Sequence, residues 1–376
     1  MAKKTTIEQA VSAYPKIIDM RLIQLRFTLQ EHKADSLAVT YLPNIRYLTN
    51  FSGSDAKLFI SNDEIHFLTD DRYEEQVKTE LFSLPNLHIH ITRDPWNYLI
   101  EKKLMGGPET MLFEADRVSY SDAVVIRNVV RPIKFKPVAT LVERFTVPKS
   151  PEEIEFLQKS ANISLEVYEY MLNHIEVGMT EREIELEIAY QTRKRGSEGD
   201  PFDIIVVSGE RGSLVHGKAS DRQLKKGDIL LMDYGSKYNG FCSDITRTIA
   251  IGKATKEQKA IYKLLWEAKE AAIQGVLPGM NGKSLDKIAR SMIQKAGYGD
   301  FFQHSLGHGI GLETHESPII TFRKDDQIIP ENSVLAIEPG IYLTGKFGMR
   351  VEDMIIVTKA GGRHITKAPE ELIVIE

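Results

Sequence analysis

The sequence predicts a two-domain α/β protein (α+β in its layering), and three observations lead to that prediction. Short apolar runs alternate with helical patterns along residues 1–150, which indicates a layered domain with a mixed sheet. Only three of the 26 glycines fall in that part, so the composition changes near residue 150. Patterns in the second part recur at a long spacing, which predicts a pseudo-symmetric domain built from two similar halves.

The elements of the first domain follow from hydrophobic periodicity. Ile18, Leu22, Leu25 and Leu29 recur at helical spacing and predict an amphipathic helix. Apolar runs of strand length follow and predict five strands, at residues 36–41, 56–60, 64–69, 87–92 and 111–114. Strands that alternate with helices in this way are expected to form one mixed sheet.

The second domain begins with a helix-start signal. Ser150 is a good N-cap, Pro151 suits the first helical position, and Glu153 completes a capping box. The sequence therefore predicts one domain at residues 1–146 and another at residues 147–376.

The second domain contains a diverged duplication. Residues 178–180, GMT, resemble residues 279–281, GMN, and residues 231–235, LMDYG, resemble residues 336–340, AIEPG. The spacing is too long for a solenoid repeat. Two similar halves are instead expected to face each other, with duplicated residues on opposite sides of one axis.

Residues 226–248 predict two strands joined by a hairpin, because Asn239-Gly240 is a strong turn signal. A turn centred on residues 238–239 places Asp233 and Asp244 directly opposite each other, and one centred on 239–240 makes them diagonal neighbours. In both registers the two aspartates project from one face of the sheet. Like charges in that arrangement are destabilising unless a cation or a proton lies between them.

Further carboxylates and histidines lie in similar apolar contexts. Glu338 ends an apolar run, Glu352 lies within another, and residues 304–316 contain His304, His308 and His315 among glycines. Each carboxylate would cost several kcal/mol if it were buried without a partner. Metal ions between them would remove that cost for the whole set.

Composition excludes several functional classes. The chain has 48 basic and 53 acidic residues and a net charge of −5, so no basic excess points to nucleic acid or an anionic membrane. One cysteine, Cys242, rules out an intrachain disulfide or a cysteine-built zinc site. The opening residues 1–6 lack a following apolar region, and no apolar run is long enough to span a bilayer. We therefore expect a soluble cytoplasmic protein. P-loop, dinucleotide-binding and His-Glu-x-x-His signatures are absent.

Five residues resemble, in order and local sequence, the metal ligands of the pita-bread metallopeptidases: Asp233, Asp244, His308, Glu338 and Glu352. That group includes methionine aminopeptidase, aminopeptidase P and prolidase. Residues 44–54, NIRYLTNFSGS, and 68–73, LTDDRY, are similar to stretches of the creatinase/prolidase-type N-terminal domain. The resemblance therefore implies that N-terminal domain followed by a pita-bread catalytic domain.

The resemblance also implies a role for each ligand. Asp233 would chelate one divalent ion, His308 and Glu338 the other, and Asp244 and Glu352 would bridge the two. Manganese is the expected metal, with cobalt or zinc as alternatives, because one histidine among oxygen ligands suits these ions. The ions would hold a bridging hydroxide as the nucleophile, and Glu338 would shuttle the proton to the leaving nitrogen.

Four residues outside the ligand set match substrate-contacting positions. His216 and His315 match two histidines that hydrogen-bond the substrate and the tetrahedral intermediate. His304 matches the proline pocket of the X-Pro branch, the alternative being a structural histidine. Arg350 matches the Arg-x-Glu of that branch and is expected to brace the acidic cluster on the substrate side, unless it is merely an exposed strand arginine.

The sequence thus predicts a dinuclear-metal Xaa-Pro aminopeptidase that acts on proline-containing peptides. A prolidase, which cleaves Xaa-Pro dipeptides, is the alternative, and no residue separates the two. A metal-free creatinase-like enzyme or a binding protein on the same fold is more remote, since it would be expected to lose ligands. The family resemblance further implies a homodimer.

Overall fold

A computed structural model describes residues 17–324 and 326–376 and divides into two units, one ending at Thr146 and the other comprising Val147–Glu376. The opening residues 1–6 and the side chain of Ile18 lie outside the described part. In the rest of the chain, no helix is both long and apolar enough to cross a membrane.

The first unit is a six-stranded mixed sheet with helices, as predicted. Its strands β1 to β6 are Ser36–Val39, Lys57–Ser61, Ile65–Thr69, Leu87–Ile91, Thr110–Glu114 and Lys134–Val138. Its helices α1 to α6 are Ile17–His32, Leu42–Thr49, Val77–Glu80, Pro95–Glu101, Tyr120–Val129 and Glu143–Thr146. The strand order is β4-β3-β2-β1-β5-β6, with β1 antiparallel to β2 and parallel to β5.

The five strands predicted for this unit are confirmed to within two residues at each end, and the helix built on Leu22, Leu25 and Leu29 buries all three side chains. Strand β6 is missing from the prediction. It contains Pro137, which lacks a ladder donor and is tolerated here because β6 lies at the edge of the sheet.

The second unit begins with the predicted capped helix and contains two main sheets. Its helices α7 to α10 are Pro151–Leu172, Glu181–Lys194, Lys256–Gly275 and Gly282–Lys295. Its strands β7 to β13 are Ile205–Ser208, Ile229–Tyr234, Lys237–Tyr238, Phe241–Cys242, Ile245–Ile251, Gly307–Gly309 and Glu316–Ile320. Strands β14 to β19 are Val334–Ile337, Gly340–Leu343, Phe347–Arg350, Asp353–Thr358, Gly361–His364 and Ile373–Ile375. One sheet has the order β19-β11-β8-β7 and the other β13-β12-β14-β17-β18.

The two halves of this unit repeat the same local structure where the sequence repeats. Thr180 caps α8 and Asn281 caps α10, each by accepting a hydrogen bond from the backbone N–H three residues later. The preceding glycines, Gly178 and Gly279, have φ of 97° and 85°, a conformation that favours glycine. Gly178 donates its N–H to the carbonyl oxygen of Leu224 at 3.0 Å and Gly279 to that of Ile329 at 2.8 Å, and each acceptor follows an isolated β-bridge residue. The duplication therefore corresponds to two similarly built halves, one on each sheet.

Candidate metal centre

All nine residues that the sequence singles out line one cavity of about 540 Å³ in the second unit. They are Asp233, Asp244, His308, Glu338, Glu352, His216, His304, His315 and Arg350. Both sheets contribute: the first two residues come from the β8–β11 hairpin, and the others come mainly from the second half of the duplication. The cavity therefore lies where the two halves meet.

The hairpin adopts the diagonal register. Asn239 and Gly240 have positive φ, 48° and 82°, as a tight two-residue hairpin turn requires. Tyr238 pairs with Phe241 across that turn, and Asp233 pairs with Thr246 in the separate β8–β11 ladder, which keeps the same register. Asp233 and Asp244 are therefore diagonal neighbours.

The second half delivers His308 and Glu338 from neighbouring strands. His308 in β12 pairs with Ala336 in β14, and Glu338 follows β14 directly. Gly307 allows this close pairing, because a Cβ there would lie 1.9 Å from the carbonyl oxygen of Ala336. The imidazole Nε2 of His308 lies 3.7 Å from Oδ2 of Asp244 and 4.0 Å from Oε1 of Glu338.

His308 is held in the tautomer that a metal ligand needs. Its Nδ1 donates to the carbonyl oxygen of Gly309 at 3.0 Å, so Nε2 carries the lone pair that faces the carboxylates. Burial, together with the neighbouring His315, lowers the pKa of His308 to about 4, which keeps the ring neutral. Ligand atoms of Asp244, His308 and Glu352 all lie within 4.8 Å of one another. Atoms that share one ion at about 2.1 Å have such separations.

The burial of the acidic cluster calls for positive charge beside its carboxylates. Within this cluster, three buried carboxylate oxygens have no hydrogen-bond partner: Oδ1 of Asp233, Oδ1 of Asp244 and Oε1 of Glu352. Burial and the neighbouring Glu352 raise the pKa values of Asp244 and Glu338 well above the usual range, and burial and Asp233 raise that of Glu352 to about 7. The shifts share one cause, since burial and the neighbouring carboxylates both disfavour negative charge in the site. Divalent cations would reverse this cost, so the donor set fits them.

Arg350 and Thr246 together contact three of the carboxylates. Arg350 hydrogen-bonds Asp233 through one terminal nitrogen, and its Nε lies 3.7 Å from Oε2 of Glu338. The Thr246 hydroxyl donates to Oε2 of Glu352 at 2.7 Å and accepts from Nε of Arg350 at 2.9 Å. The alternative of an exposed strand arginine is wrong, because the Arg350 side chain is buried.

His304 belongs to a second chain of contacts in the cavity. Its Nδ1 donates to the carbonyl oxygen of Ser305 at 2.8 Å, and its Nε2 accepts from the Tyr342 hydroxyl at 2.9 Å. The Tyr342 oxygen in turn accepts from Arg350 at 2.7 Å. Burial, with Arg350 nearby, lowers the pKa of His304 to about 3. Both ring nitrogens are thus occupied, and the neutral ring has only its flat face to offer a ligand.

His216 and His315 differ from His304 in being solvent-exposed while still lining the cavity. The His315 ring packs beside that of His308, with centroids 4.3 Å apart. Partial burial, with His216 as a neighbouring histidine, lowers the pKa of His315. Two accessible imidazoles beside the carboxylates can hydrogen-bond a bound molecule.

A second acidic group close by does not fit a metal ion. Glu270, Asp353 and His364 bring ligand atoms within 4.8 Å of one another. The buried ammonium of Lys269 hydrogen-bonds Asp353, and Arg247 reaches the other Asp353 oxygen at 3.1 Å. The carboxylates are therefore already balanced by protein cations, and this group is an internal ion network.

Two residues of the site are missing from the sequence predictions. Thr246 lies two residues after Asp244 and faces the same side of the hairpin, so strand parity is a signal that could have revealed it. Tyr342 reaches His304 and Arg350 only because β15 and β16 pair, and its sequence context carries no such signal.

Comparisons with known proteins match both units. Residues 155–359 match the model of metallopeptidase family M24, and residues 21–145 match the creatinase/prolidase N-terminal domain. An Xaa-Pro dipeptidase of Pyrococcus furiosus is 33% identical over 357 residues, which cover 94% of this chain and 99% of that protein.

Solved structures give the same result for the fold. The Xaa-Pro dipeptidase from Bacillus anthracis aligns with a TM-score of 0.90 and 36% identity, covering 95% of this chain and 99% of that one. The X-Pro aminopeptidase from Thermotoga maritima aligns with a TM-score of 0.84 and 36% identity, covering 91% and 98%. The predicted two-domain architecture, with a pita-bread catalytic unit, is confirmed.

Proposed function

This chain belongs to metallopeptidase family M24, and from that premise we propose that it is an Xaa-Pro aminopeptidase that uses two divalent metal ions. The relatives described above include both an X-Pro aminopeptidase and Xaa-Pro dipeptidases at similar identity. Their names support an X-Pro substrate for this chain. The choice between the two activities depends on the cavity.

The charges that line the cavity favour the aminopeptidase. A dipeptidase must recognise the free carboxylate that follows proline, which calls for a cation beside the proline ring. Among the lining residues that the structure describes, Lys218 and Arg350 are the only lysine or arginine. Arg350 is engaged by Asp233 and Tyr342, whereas Lys218 is 86% exposed and lies 3.5 Å from Asp203. A solvated lysine beside an aspartate binds a carboxylate weakly, and this observation carries the proposal.

Asp233, Asp244, His308, Glu338 and Glu352 would hold the metal ions. When bound, divalent cations polarise the scissile carbonyl and make a hydrolytic water acidic enough to lose its proton near neutral pH. Manganese, with cobalt and zinc as alternatives, suits a site with five donors of which one is a nitrogen. The presence of all five donors argues against a metal-free relative.

Glu338 is the proposed proton carrier. It is the most accessible of the four carboxylates, with 20% of its side chain exposed, and its Oε1 lies 4.0 Å from Nε2 of His308. An X-Pro bond is a tertiary amide whose nitrogen has no hydrogen, so that nitrogen must be protonated as it leaves. The Glu338 carboxyl would take the proton from the attacking water and deliver it to the prolyl nitrogen.

The remaining residues would position the peptide. His216 and His315 are accessible donors for the substrate carbonyl oxygen and for the negative charge that develops on it. His304 presents a flat face that can pack against the proline ring. Because both of its nitrogens are already hydrogen-bonded, we assign it recognition by shape.

We extend the proposal to a homodimer on the family resemblance alone, and to a cytoplasmic location on the composition of the sequence. Sedimentation of the metal-loaded protein measures the subunit number, and a monomeric mass at working concentration would contradict the dimer.

The decisive experiment compares three peptides that differ only after proline: a dipeptide X-Pro, its C-terminal amide, and a tripeptide X-Pro-Y. With Mn²⁺ present, an aminopeptidase cleaves the tripeptide at least as well as the dipeptide and tolerates the amide. A dipeptidase requires the free carboxylate, so the amide and the tripeptide are both poor substrates. Lys218→Met serves as the matched variant, because it should leave tripeptide cleavage unchanged and would depress dipeptide cleavage if that lysine bound the carboxylate.

A further inference from the structure

The carboxylate of Glu181 accepts five hydrogen bonds beside the cavity wall. Glu181 is the first residue of α8 and is fully buried. Its Oε1 accepts from both the backbone N–H and the hydroxyl of Ser208, each at 2.8 Å. Ser208 ends β7, directly before the short 3₁₀ helix Gly209–Ser213.

The other oxygen of Glu181 holds the far end of the same segment. Its Oε2 accepts from the backbone N–H of Ser220 at 3.0 Å and from the Ser220 hydroxyl at 2.6 Å. The same oxygen accepts from Nε of Arg211 at 3.0 Å, and Arg211 also donates to the carbonyl oxygen of Lys218 at 2.7 Å. One buried carboxylate therefore joins the first and last residues of segment 208–220 and reaches its interior.

Segment 208–220 forms one wall of the cavity. Four consecutive residues of it line the site: Val215, His216, Gly217 and Lys218. The segment also packs closely on β16, since a Cβ on Gly212 would lie 2.8 Å from the backbone nitrogen of Gly348. Its conformation is thus fixed on one side by β16 and at both ends by Glu181.

The hydrogen bonds of Glu181 do not involve the proposed metal ligands. None of its five hydrogen bonds described above goes to Asp233, Asp244, His308, Glu338 or Glu352. A change at Glu181 should therefore alter the wall without altering the donors of the metal ions.

We propose that Glu181 is a positioning residue that sets the substrate-facing wall 208–220 and, through it, the place of His216. The inference rests on the proposed function, because His216 acts on the substrate of that reaction. A glutamine at this position keeps the volume of the side chain. Its amide nitrogen, however, is a donor and would face N–H and O–H groups that in the wild type donate to a carboxylate oxygen. Buried donors left without acceptors are costly, so the segment is expected to shift. A displacement of about 1 Å at a positioning group is enough to cost about a hundredfold in rate.

The test is a double-mutant cycle between Glu181→Gln and His216→Ala in the full-length, Mn²⁺-loaded protein. We expect Glu181→Gln to lower kcat/KM for an X-Pro-Y peptide by about tenfold to a hundredfold, with Mn²⁺ affinity within about twofold of wild type. In the His216→Ala background, Glu181→Gln should lower kcat/KM by less than about twofold, because the imidazole that Glu181 positions is already absent. Equal losses in both backgrounds, or no loss in either, would overturn the proposal.

Glu183→Gln is the matched control, since Glu183 belongs to the same helix turn but only completes its exposed capping box. It should leave kcat/KM unchanged. If Glu181→Gln does not fold, Ser220→Ala removes one of the five donors and should show a smaller loss that again disappears in the His216→Ala background.

Hydrogen exchange separates failure of this inference from failure of the proposed function. Absence of X-Pro hydrolysis by the wild type would contradict the proposed function. The effect of Glu181 on segment 208–220 could still be measured by hydrogen exchange. Amides in residues 208–220 should exchange faster in Glu181→Gln than in wild type, while those of residues 245–251 stay unchanged. Unchanged exchange in residues 208–220 would overturn the proposal that Glu181 fixes this segment.

Discussion

The hydroxyl of Thr246 links a proposed metal ligand to a buried arginine, and its removal should weaken metal binding. It donates to Oε2 of Glu352 at 2.7 Å and accepts from Nε of Arg350 at 2.9 Å. Thr246→Val keeps the shape of the side chain but removes both bonds. A hydrogen bond to a charged group contributes about 1.5 to 3 kcal/mol. Loss of the hydrogen bond to Glu352 is by itself expected to weaken Mn²⁺ binding by about tenfold to a hundredfold. This is the range seen when groups that orient a metal ligand are removed.

Thr248→Val provides the matched control, because Thr248 lies two residues further along β11 on the same face. Its hydroxyl is also buried, but it bonds only the backbone of Arg350, at 2.8 and 3.3 Å. Calorimetric Mn²⁺ titration of both metal-stripped variants gives the two affinities. We expect weaker Mn²⁺ binding by Thr246→Val and near wild-type affinity for Thr248→Val. Wild-type affinity in Thr246→Val, or equal losses in both variants, would refute it.

Three further changes test other parts of the account. Glu338→Gln should reduce kcat at saturating Mn²⁺ by at least about a hundredfold if Glu338 moves the proton; a fall only in proportion to lost metal would leave it a ligand and nothing more. His304→Ala should lose much of the preference for X-Pro over X-Ala in kcat/KM while it still binds metal, whereas equal losses on all peptides would indicate a structural histidine. Burial raises the pKa of Glu114 from 4.5 to about 7, so the folded state holds this proton more tightly than the unfolded chain. The resulting stability is full below about pH 4.5 and is lost as pH rises through 7. Denaturant unfolding of wild type and Glu114→Gln between pH 4 and 8 should therefore show the wild type losing up to about 3 kcal/mol relative to the variant, and parallel profiles would contradict this.

Turn geometry and strand alternation explain why part of the site can be predicted from the sequence. The Asn239-Gly240 turn fixes the register of the hairpin, and period-two alternation then places Asp233 and Asp244 on one face. Sequence reasoning could not choose between the two registers, because the turn could be centred on either of two residue pairs. The positive φ at both central residues is what selects one.

Contacts between distant segments account for what sequence reasoning missed. Tyr342 bridges His304 and Arg350, and Glu181 joins Ser208 to Ser220, only after separate elements have packed. No local pattern of residue types encodes such pairings. Likewise, the edge strand β6 was hidden because its proline argues against a strand except at a sheet edge.

The central claim is that this chain is a metal-dependent peptidase for X-Pro bonds, and one measurement tests it most directly. Purified protein is stripped of metal, and kcat/KM is measured for X-Pro-Y and X-Ala-Y peptides before and after Mn²⁺ is returned. We expect no hydrolysis without metal and, with Mn²⁺, release of the single residue X from X-Pro-Y in clear preference to X-Ala-Y. Hydrolysis by the metal-free protein, or equal cleavage of both peptides by the loaded protein, would contradict it.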